Sequence, residues 1–400
     1  MLTGKTVVLG VCGGIAAYKI ANLASMLVKQ HADVHVIMTE NATNFITPIT
    51  FETLTNNKCL VDTFDRNFQF HVAHVSLAKK ADIFMVAPAT ANVIGKMAHG
   101  IADDMLTTTL LATKAPIYIS PAMNTNMYEN AIVQDNLDVL KKYGMHVIEP
   151  ASGFLACRDT GSGKMPEPET LMQYILKEIA FEKDLSGKKV VVSAGPTRES
   201  LDPVRFITNH STGKMGYAIA KNAMLRGADV TLVSGPVSIE PVPFVNLIPV
   251  VSAEDMKHAM LENSEDADYI FMTAAVADYT PAQVANEKIK KKEGDSTLEL
   301  KRTTDILKTL GQQKKEHQLL CGFSMETENL LENSRKKLGT KNADLVVANS
   351  LRKEGAGFGT DTNVVTLITA SEIKELEQMS KDDVAKNLID YCMNLKNNRI

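Results

Sequence analysis

The sequence has few cysteines, and their placement carries no chemistry by itself. Cys12, Cys59, Cys157, Cys321 and Cys392 are scattered, odd in number and without a CxxC pair. That excludes a disulfide framework and a zinc set of ordinary spacing, and a reducing cytoplasm is the expected setting. No apolar run reaches the roughly 18 residues a membrane helix needs. The opening MLTGKTVVLGVCGG lacks a cleavage-site pattern and reads as a strand entering a glycine turn. Neither sign of charge dominates: 43 Lys and Arg face 47 Asp and Glu, a net charge of -4. Electrostatics therefore give no reason to expect nucleic acid or a membrane as the main partner, although small anions need only local cations. No GxGxxG opens either half, which disfavours an NAD oxidoreductase. No stretch is low-complexity.

What is present is a strand–helix alternation that runs twice. KTVVLGV, DVHVIMT, DIFMVAPAT, PIYISPAM and MHVIEP are apolar on both faces, as buried parallel strands require, and GGIAAYKIANLASMLVKQ between the first two has helical spacing. KKVVVSAGPT then restarts the pattern, followed by RGADVTLVSGP, DYIFMTAAVADY, ADLVVANS and NVVTLIT. The polar stretch EKDLSGKK near Glu182–Lys188 separates the two runs. The expectation is an α/β chain of two doubly wound, Rossmann-like domains, residues 1–185 and 186–400.

In the first half, small and polar residues gather where strands end, the ligand edge of such a sheet. They are GVCGGIAAYK with Gly13 and Gly14, MTENA with Thr39, PATAN with Thr90 and Asn92, and PAMNTNM with Asn124. Taken singly, each also fits a tight turn or a helix cap. GFLACRDTGSGKMPEP at residues 153–168 is a glycine-rich segment holding Cys157, fit for a lid or for plain packing. In the second half, NHSTGKMG superficially looks like a phosphate loop. It fails the GxxxxGK[ST] pattern, because Met215 follows Lys214 and the first glycine is missing. Arg198, Arg205 and Lys214 could gather around an anion or simply be solvated. KIKKK at 288–292 reads as a solvated charge run, or as one lysine, Lys288 or Lys290, facing a triphosphate. Lys337 and Lys341 share a face if their segment is helical.

As ordered sets these motifs are specific. GVCGGIAAYK, AHVSLAKKAD, APATAN, PAMNTNM and ACRDTGSGKM resemble the flavin-containing cysteine decarboxylases across residues 1–180. AGPTRE, DPVRFITN, STGKMG, AAVADY, EKIKKK, GFSMET and KLGTKNADLVVAN resemble the phosphopantothenate–cysteine ligase domain from about residue 188 to 370. The order of the two is that of the bifunctional coenzyme A biosynthesis family.

The resemblance implies a flavodoxin-like first domain with FMN over Gly13, Gly14, Thr39 and Thr90. It implies His74 as active-site base, in preference to His71, Asn124 as holder of the substrate carboxylate and Cys157 as proton donor. For the second domain it implies a CTP pocket of Ala274, Ala275, Asp278, Lys288, Asp305, Phe323, Lys337 and Lys341. Lys288 would support activation there and Asn209 the turnover of an acyl-cytidylate, with Mg2+ carried on the nucleotide. The implied substrates are 4'-phosphopantothenate, cysteine and CTP, and the implied assembly is a homo-oligomer, a dodecamer of flavoprotein trimers joined by ligase dimers. The chain departs from the family's usual residues at Ser76, Arg158, Thr212 and Thr304. A flavoprotein of the same fold with another reaction, or with a regulatory role, is the alternative reading.

Overall fold

The computed structural model describes residues 1–64, 73–154, 160–290, 297–326, 330–350 and 359–398. The chain forms two compact units, Met1–Phe181 and Glu182–Ile400.

In the first unit, strands β1 (Thr6–Val11), β2 (Asp33–Met38), β3 (Ile83–Ala89), β4 (Ile117–Pro121) and β5 (His146–Val147) make one sheet in the order β2-β1-β3-β4-β5. All the pairings are parallel. Every residue of β1 and β3 is buried, as strands covered on both faces must be. The crossovers are α1 (Ala17–Lys29), α2 (Pro48–Thr55), α3 (Ala73–Lys80), α4 (Ala91–Ala98), α5 (Met105–Ala112), α6 (Thr125–Tyr128) and α7 (Ala131–Lys142). α1 buries Ala17, Ile20, Leu23, Ala24 and Leu27, one stripe at helical spacing. An antiparallel hairpin, β6 (Ala151–Phe154) and β7 (Thr160–Lys164), leaves the sheet before α8 (Pro168–Ile179) packs against α1.

The second unit starts β8 (Lys189–Ala194), hairpin β9 (Arg198–Ser200) and β10 (Phe206–Thr208), α9 (Lys214–Leu225), β11 (Asp229–Ser234), β12 (Asn246–Pro249), α10 (Ala253–Ser264) and β13 (Tyr269–Met272). It continues through the ribbon β14 (Tyr279–Pro281) and β15 (Leu300–Arg302), α11 (Ile306–Gln313), β16 (Leu319–Glu326), α12 (Leu330–Lys341) and β17 (Leu345–Ser350). After the short β18 (Thr362–Asn363) come β19 (Val365–Ile368), β20 (Ile373–Glu375), β21 (Met379–Ser380) and α13 (Lys381–Asn397). The main sheet runs β12-β11-β8-β13-β16-β17-β19-β20. Its first six strands are parallel, and β19 and β20 add an antiparallel edge. Those six parallel strands have the Rossmann order 3-2-1-4-5-6.

The two units thus differ in strand order while sharing one rule. In each, the order reverses beside the first strand, at β1/β3 and at β8/β13, and ligands of such sheets bind at that reversal. β13 is shorter than the sequence run suggests: the chain leaves the strand after Met272, so TAAVADY is strand exit rather than strand.

Arg226, just past α9, fastens the start of the second unit. Its side chain is only 7% exposed, and it grips Asp184 through Nε (2.8 Å) and Nη2 (2.5 Å) and Asp390 of α13 through Nη1 (2.6 Å). The guanidinium holds the Asp184 carboxyl below the usual carboxylate range. A depressed pKa adds stability that is full above the unfolded value of about 4 and is lost as pH falls below it. Arg226→Ala is expected to cost about 1–2 kcal/mol, since it removes a nearly buried side chain and two ion pairs whose carboxylates water can still reach. Urea titration across pH should give a lower midpoint at neutral pH and a flatter loss of stability below about pH 4.

Candidate active sites

In the first unit a cleft of about 570 Å³ opens at the reversal between β1 and β3. Its lining includes Gly13 and Gly14 after β1, Thr90 after β3, and Asn124 after β4. Four residues from three strand ends therefore meet, as the sequence motifs led one to expect. The glycine at position 13 is required by close approach, because a Cβ there would lie 2.6 Å from Asn41 Cβ and 2.9 Å from its carbonyl carbon. Thr90 caps α4 by accepting from Val93 N at 3.4 Å, and Asn124 Oδ1 caps α6 by accepting from Asn126 N at 2.9 Å. The capping reading of both residues is thus correct, and it does not remove them from the cleft.

α1 opens at the cleft with no side-chain cap on its first turn. Thr39, at the end of β2, is not in the lining, but its Oγ1 is buried without a hydrogen-bond partner. Cys12 lies one residue before the glycines. Burial pushes its thiol up to about 12, which removes it as a nucleophile.

Two cations in the lining escaped the sequence reading. Lys19 of α1 donates to both carboxylate oxygens of Glu167 at 2.7 Å, and Lys164 of β7 lies 3.4 Å from the same carboxylate. The signal was present, since both lysines sit inside the motifs GVCGGIAAYK and GSGKM. His74 stands half-buried at the start of α3 and is not among the lining residues. His71 and Cys157 lie outside the described residues. The stem of the Cys157 segment is nevertheless seated on the cleft: Met123 N donates to Gly163 O at 3.1 Å. Gly163 has φ +120°, and a Cβ would meet Met123 O at 2.4 Å.

In the second unit the reversal lies between β8 and β13. Ser193 Oγ accepts from Thr273 N and Ala274 N, both at 3.1 Å. Ala275 O accepts from Asn209 Nδ2 at 2.8 Å and from Thr197 N at 3.3 Å. Asn209 is therefore anchored on the Ala274–Ala275 strand exit. Asp278 follows on the surface, and its carbonyl accepts from Thr303 N at 3.0 Å, two residues before Asp305. Asp305 caps α11 through Lys308 N (2.9 Å) and pairs with Lys341 of α12. Burial alone would raise the Asp305 carboxyl, but Lys341 and the Lys308 N–H outweigh it and hold it low. One turn back on the same helix, Lys337 donates to Ser324 Oγ at 2.8 Å, beside the half-buried Phe323 of β16. Asn209, Ala274, Ala275, Asp278 and Asp305 are thus linked along the exit of β13, with Lys341 reaching Asp305 from α12 and Lys337 of the same helix bound beside Phe323.

Lys288 is exposed on the segment after the β14 turn, with its neighbour Ile289 tied to Asp202 and Arg205. Arg198, Arg205 and Lys214 do not act as a common anion cluster. Arg198 lies 4.7 Å over the Phe206 ring, Arg205 pairs with Asp202, and Lys214 pairs with Asp361 at 2.6 Å.

The chain is similar to known proteins along its whole length. Residues 185–395 match the DNA/pantothenate metabolism flavoprotein C-terminal domain, and residues 1–180 match the flavoprotein family. It is 51% identical over 393 residues to the coenzyme A biosynthesis bifunctional protein CoaBC of Bacillus subtilis (strain 168), covering 97% of each chain. This chain belongs to the coenzyme A biosynthesis bifunctional protein family. A cysteine/cysteine sulfinic acid decarboxylase from an unknown prokaryotic organism is 45% identical over 88% of this chain and 99% of its own. A crystal structure of the C-terminal domain of CoaBC is 45% identical, covers 54% of this chain and 100% of that one, and superposes with a TM-score of 0.46. The flavoprotein match precedes the C-terminal-domain match along the chain, and no described helix is long and apolar enough to cross a membrane.

Gly163→Ala is expected to destabilise the first unit by on the order of 2 kcal/mol, because it forces a side chain into a left-handed backbone against a carbonyl. A thermal melt that matches the parent protein would count against the seating of the hairpin on Met123.

Proposed function

We propose that the two clefts divide the two reactions of this coenzyme A biosynthesis family between them. The second unit, about residues 186–400, joins cysteine to 4'-phosphopantothenate with CTP. The first, about residues 1–185, decarboxylates the product to 4'-phosphopantetheine with FMN. The observation that carries this reading is the meeting of Gly13, Gly14, Thr90 and Asn124 in the cleft at the first unit's strand-order reversal, in a chain half identical to a coenzyme A biosynthesis bifunctional protein.

The first cleft fits FMN on its own chemistry. Gly13 leaves backbone where a Cβ would collide, α1 presents an uncapped first turn suited to a phosphate, and Thr39 Oγ1 is a buried polar atom awaiting a partner. Gly14 and Thr90 complete the set. Bound FMN supplies a two-electron acceptor that draws electrons from the thiol end so that CO2 can leave, and returns them afterwards. The chain's own residues orient the substrate and move protons. Asn124 holds the carboxylate, His74 takes a proton near neutral pH, and Cys157 gives one at the last step.

His74 is not among the lining residues of the cleft within one chain, and a second copy is proposed to bring it there. Ile15, Tyr18 and Met127 stand 59, 58 and 49% exposed at its mouth, apolar surface of the kind subunit contacts cover. A trimer of first units, and a dodecamer through pairing of second units, is the assembly proposed.

In the second cleft, the pantothenate carboxylate attacks the α-phosphorus of CTP and pyrophosphate leaves. The cysteine amine then attacks the mixed anhydride and CMP leaves. Lys288 steadies the triphosphate, Ala274, Ala275, Asp278, Asp305, Phe323, Lys337 and Lys341 line the nucleotide, and Asn209 supports turnover of the acyl-cytidylate. Mg2+ is proposed to arrive on the triphosphate, whose charge calls for a divalent ion.

The similarity to a cysteine/cysteine sulfinic acid decarboxylase favours a second reading, in which the first cleft takes a free thiol or sulfinic amino acid. Incubation with phosphopantothenate, cysteine and CTP separates the two. The first reading expects pyrophosphate, CMP, CO2 and phosphopantetheine. CO2 from cysteine alone, without pyrophosphate, supports the second. Cys157→Ser is expected to release CO2 while failing to yield phosphopantetheine; a normal yield removes the donor role.

A further inference from the structure

The β9–β10 hairpin joins two places that the sequence keeps far apart. At its root, Thr197 N donates to Ala275 O (3.3 Å), Thr197 Oγ1 accepts from Ala277 N (3.0 Å), and Thr208 Oγ1 closes the hairpin on Thr197 O (2.7 Å). Asn209, which follows β10, donates to the same Ala275 O. At its tip lies Asp202, whose side chain has no exposed surface.

Both oxygens of Asp202 are fully engaged. Oδ1 accepts from Val204 N and Arg205 N, each at 2.8 Å. Oδ2 accepts from Arg205 Nε (3.0 Å), Arg205 Nη2 (2.5 Å) and Ile289 N (3.1 Å). Two further bonds run across the same gap: Ala285 N donates to Leu201 O at 3.0 Å, and Arg205 Nη2 donates to Ile289 O at 2.8 Å. The backbone on both sides of the exposed Lys288 is therefore held by the hairpin tip.

From this geometry we infer that Asp202 is the positioning residue for Lys288, and that the hairpin sets the distance between Lys288 and the Asn209–Ala275 end of the nucleotide cleft. A lysine on an exposed segment loses rotamer and backbone freedom when it binds a phosphate. Fixing its neighbours in advance removes part of that loss. The carboxylate is suited to the task because every bond it makes is to a donor. An amide in the same place must turn its NH2 toward either the Val204 and Arg205 N–H groups or the Ile289 and guanidinium donors, whichever way it faces.

This inference rests on the proposed contact of Lys288 with the triphosphate, and the experiment separates the two. Pyrophosphate release would be measured in the full chain against CTP concentration for Asp202→Asn, Lys288→Ala and the double variant, with decarboxylation of supplied phosphopantothenoylcysteine as the folding control. Asp202→Asn is expected to raise KM for CTP about tenfold, with a smaller change in kcat and unchanged decarboxylation. In the Lys288→Ala background the same substitution is expected to add nothing, since its effect acts through that lysine. Additive losses, or a parental KM in Asp202→Asn, overturn the positioning role. Parental CTP kinetics in Lys288→Ala overturn instead the placement of Lys288. Should Asp202→Asn fail to fold, Ile289→Pro removes the single N–H that joins the lysine segment to Asp202 and leaves the Arg205 clamp intact. The same rise in KM supports the inference, and a parental KM refutes it.

Discussion

The reversal of strand order in a parallel sheet is the constraint that the two units share and from which the first unit's cleft follows. Crossovers of one hand carry the chain to opposite faces on either side of the first strand, so the two exits diverge and leave a crevice at the strand ends. β1 and β3 make it in the first unit, and β8 and β13 form the matching reversal in the second. Backbone must come close to backbone around such a crevice, and large side chains there would fill it. That is why Gly13 faces Asn41 at near-contact distance, why a Cβ on Gly235 would lie 1.9 Å from Pro196 O, and why alanines follow β13. The same small residues that permit the turn also leave room for a ligand. The turn explanation and the ligand explanation of these motifs are therefore not rivals.

The sequence disclosed the elements whose physics is local. Strands buried on both faces are unbroken apolar runs, and KTVVLGV, DIFMVAPAT and KKVVVSAGPT could hardly be anything else. β16 was harder to see, because LLCGFSME mixes a glycine and a serine into the run. The structure accounts for both: Gly322 lies under Leu307, and Ser324 receives Lys337. The hairpins β6–β7 and β9–β10 were not legible as strands, since each is short and half exposed, with an extended state fixed by pairing across a loop. Asp202 is the plainest case. DPVR gives no hint that its aspartate is sealed from solvent and bound to a residue 87 positions away. The fold class was readable from local pattern and the strand-end motifs from their resemblance to a family, whereas the joints between motifs needed the third dimension.

Exposure sorts the charged pairs of the two clefts by what they can yield. Lys19 and Lys341 each face a carboxylate with an open side, Glu167 at 52% and Asp305 at 44% exposure. Ion pairs in such surroundings contribute about 0–1 kcal/mol, so an arriving phosphate can take over either lysine at little cost, with water receiving the released carboxylate. The pair of Asp202 and Arg205 is of another kind. Its carboxylate has no exposed surface, Arg205 holds it far below the usual carboxylate range, and the Val204, Arg205 and Ile289 N–H groups bind it as well. An anion that drew the Arg205 side chain away would remove two of the five donors of that carboxylate and its paired cation, a larger loss than opening an exposed pair. Lys19 and Lys341 thus sit in pairs that water can readily replace, while Arg205 is committed to the hairpin tip that holds the backbone beside Lys288.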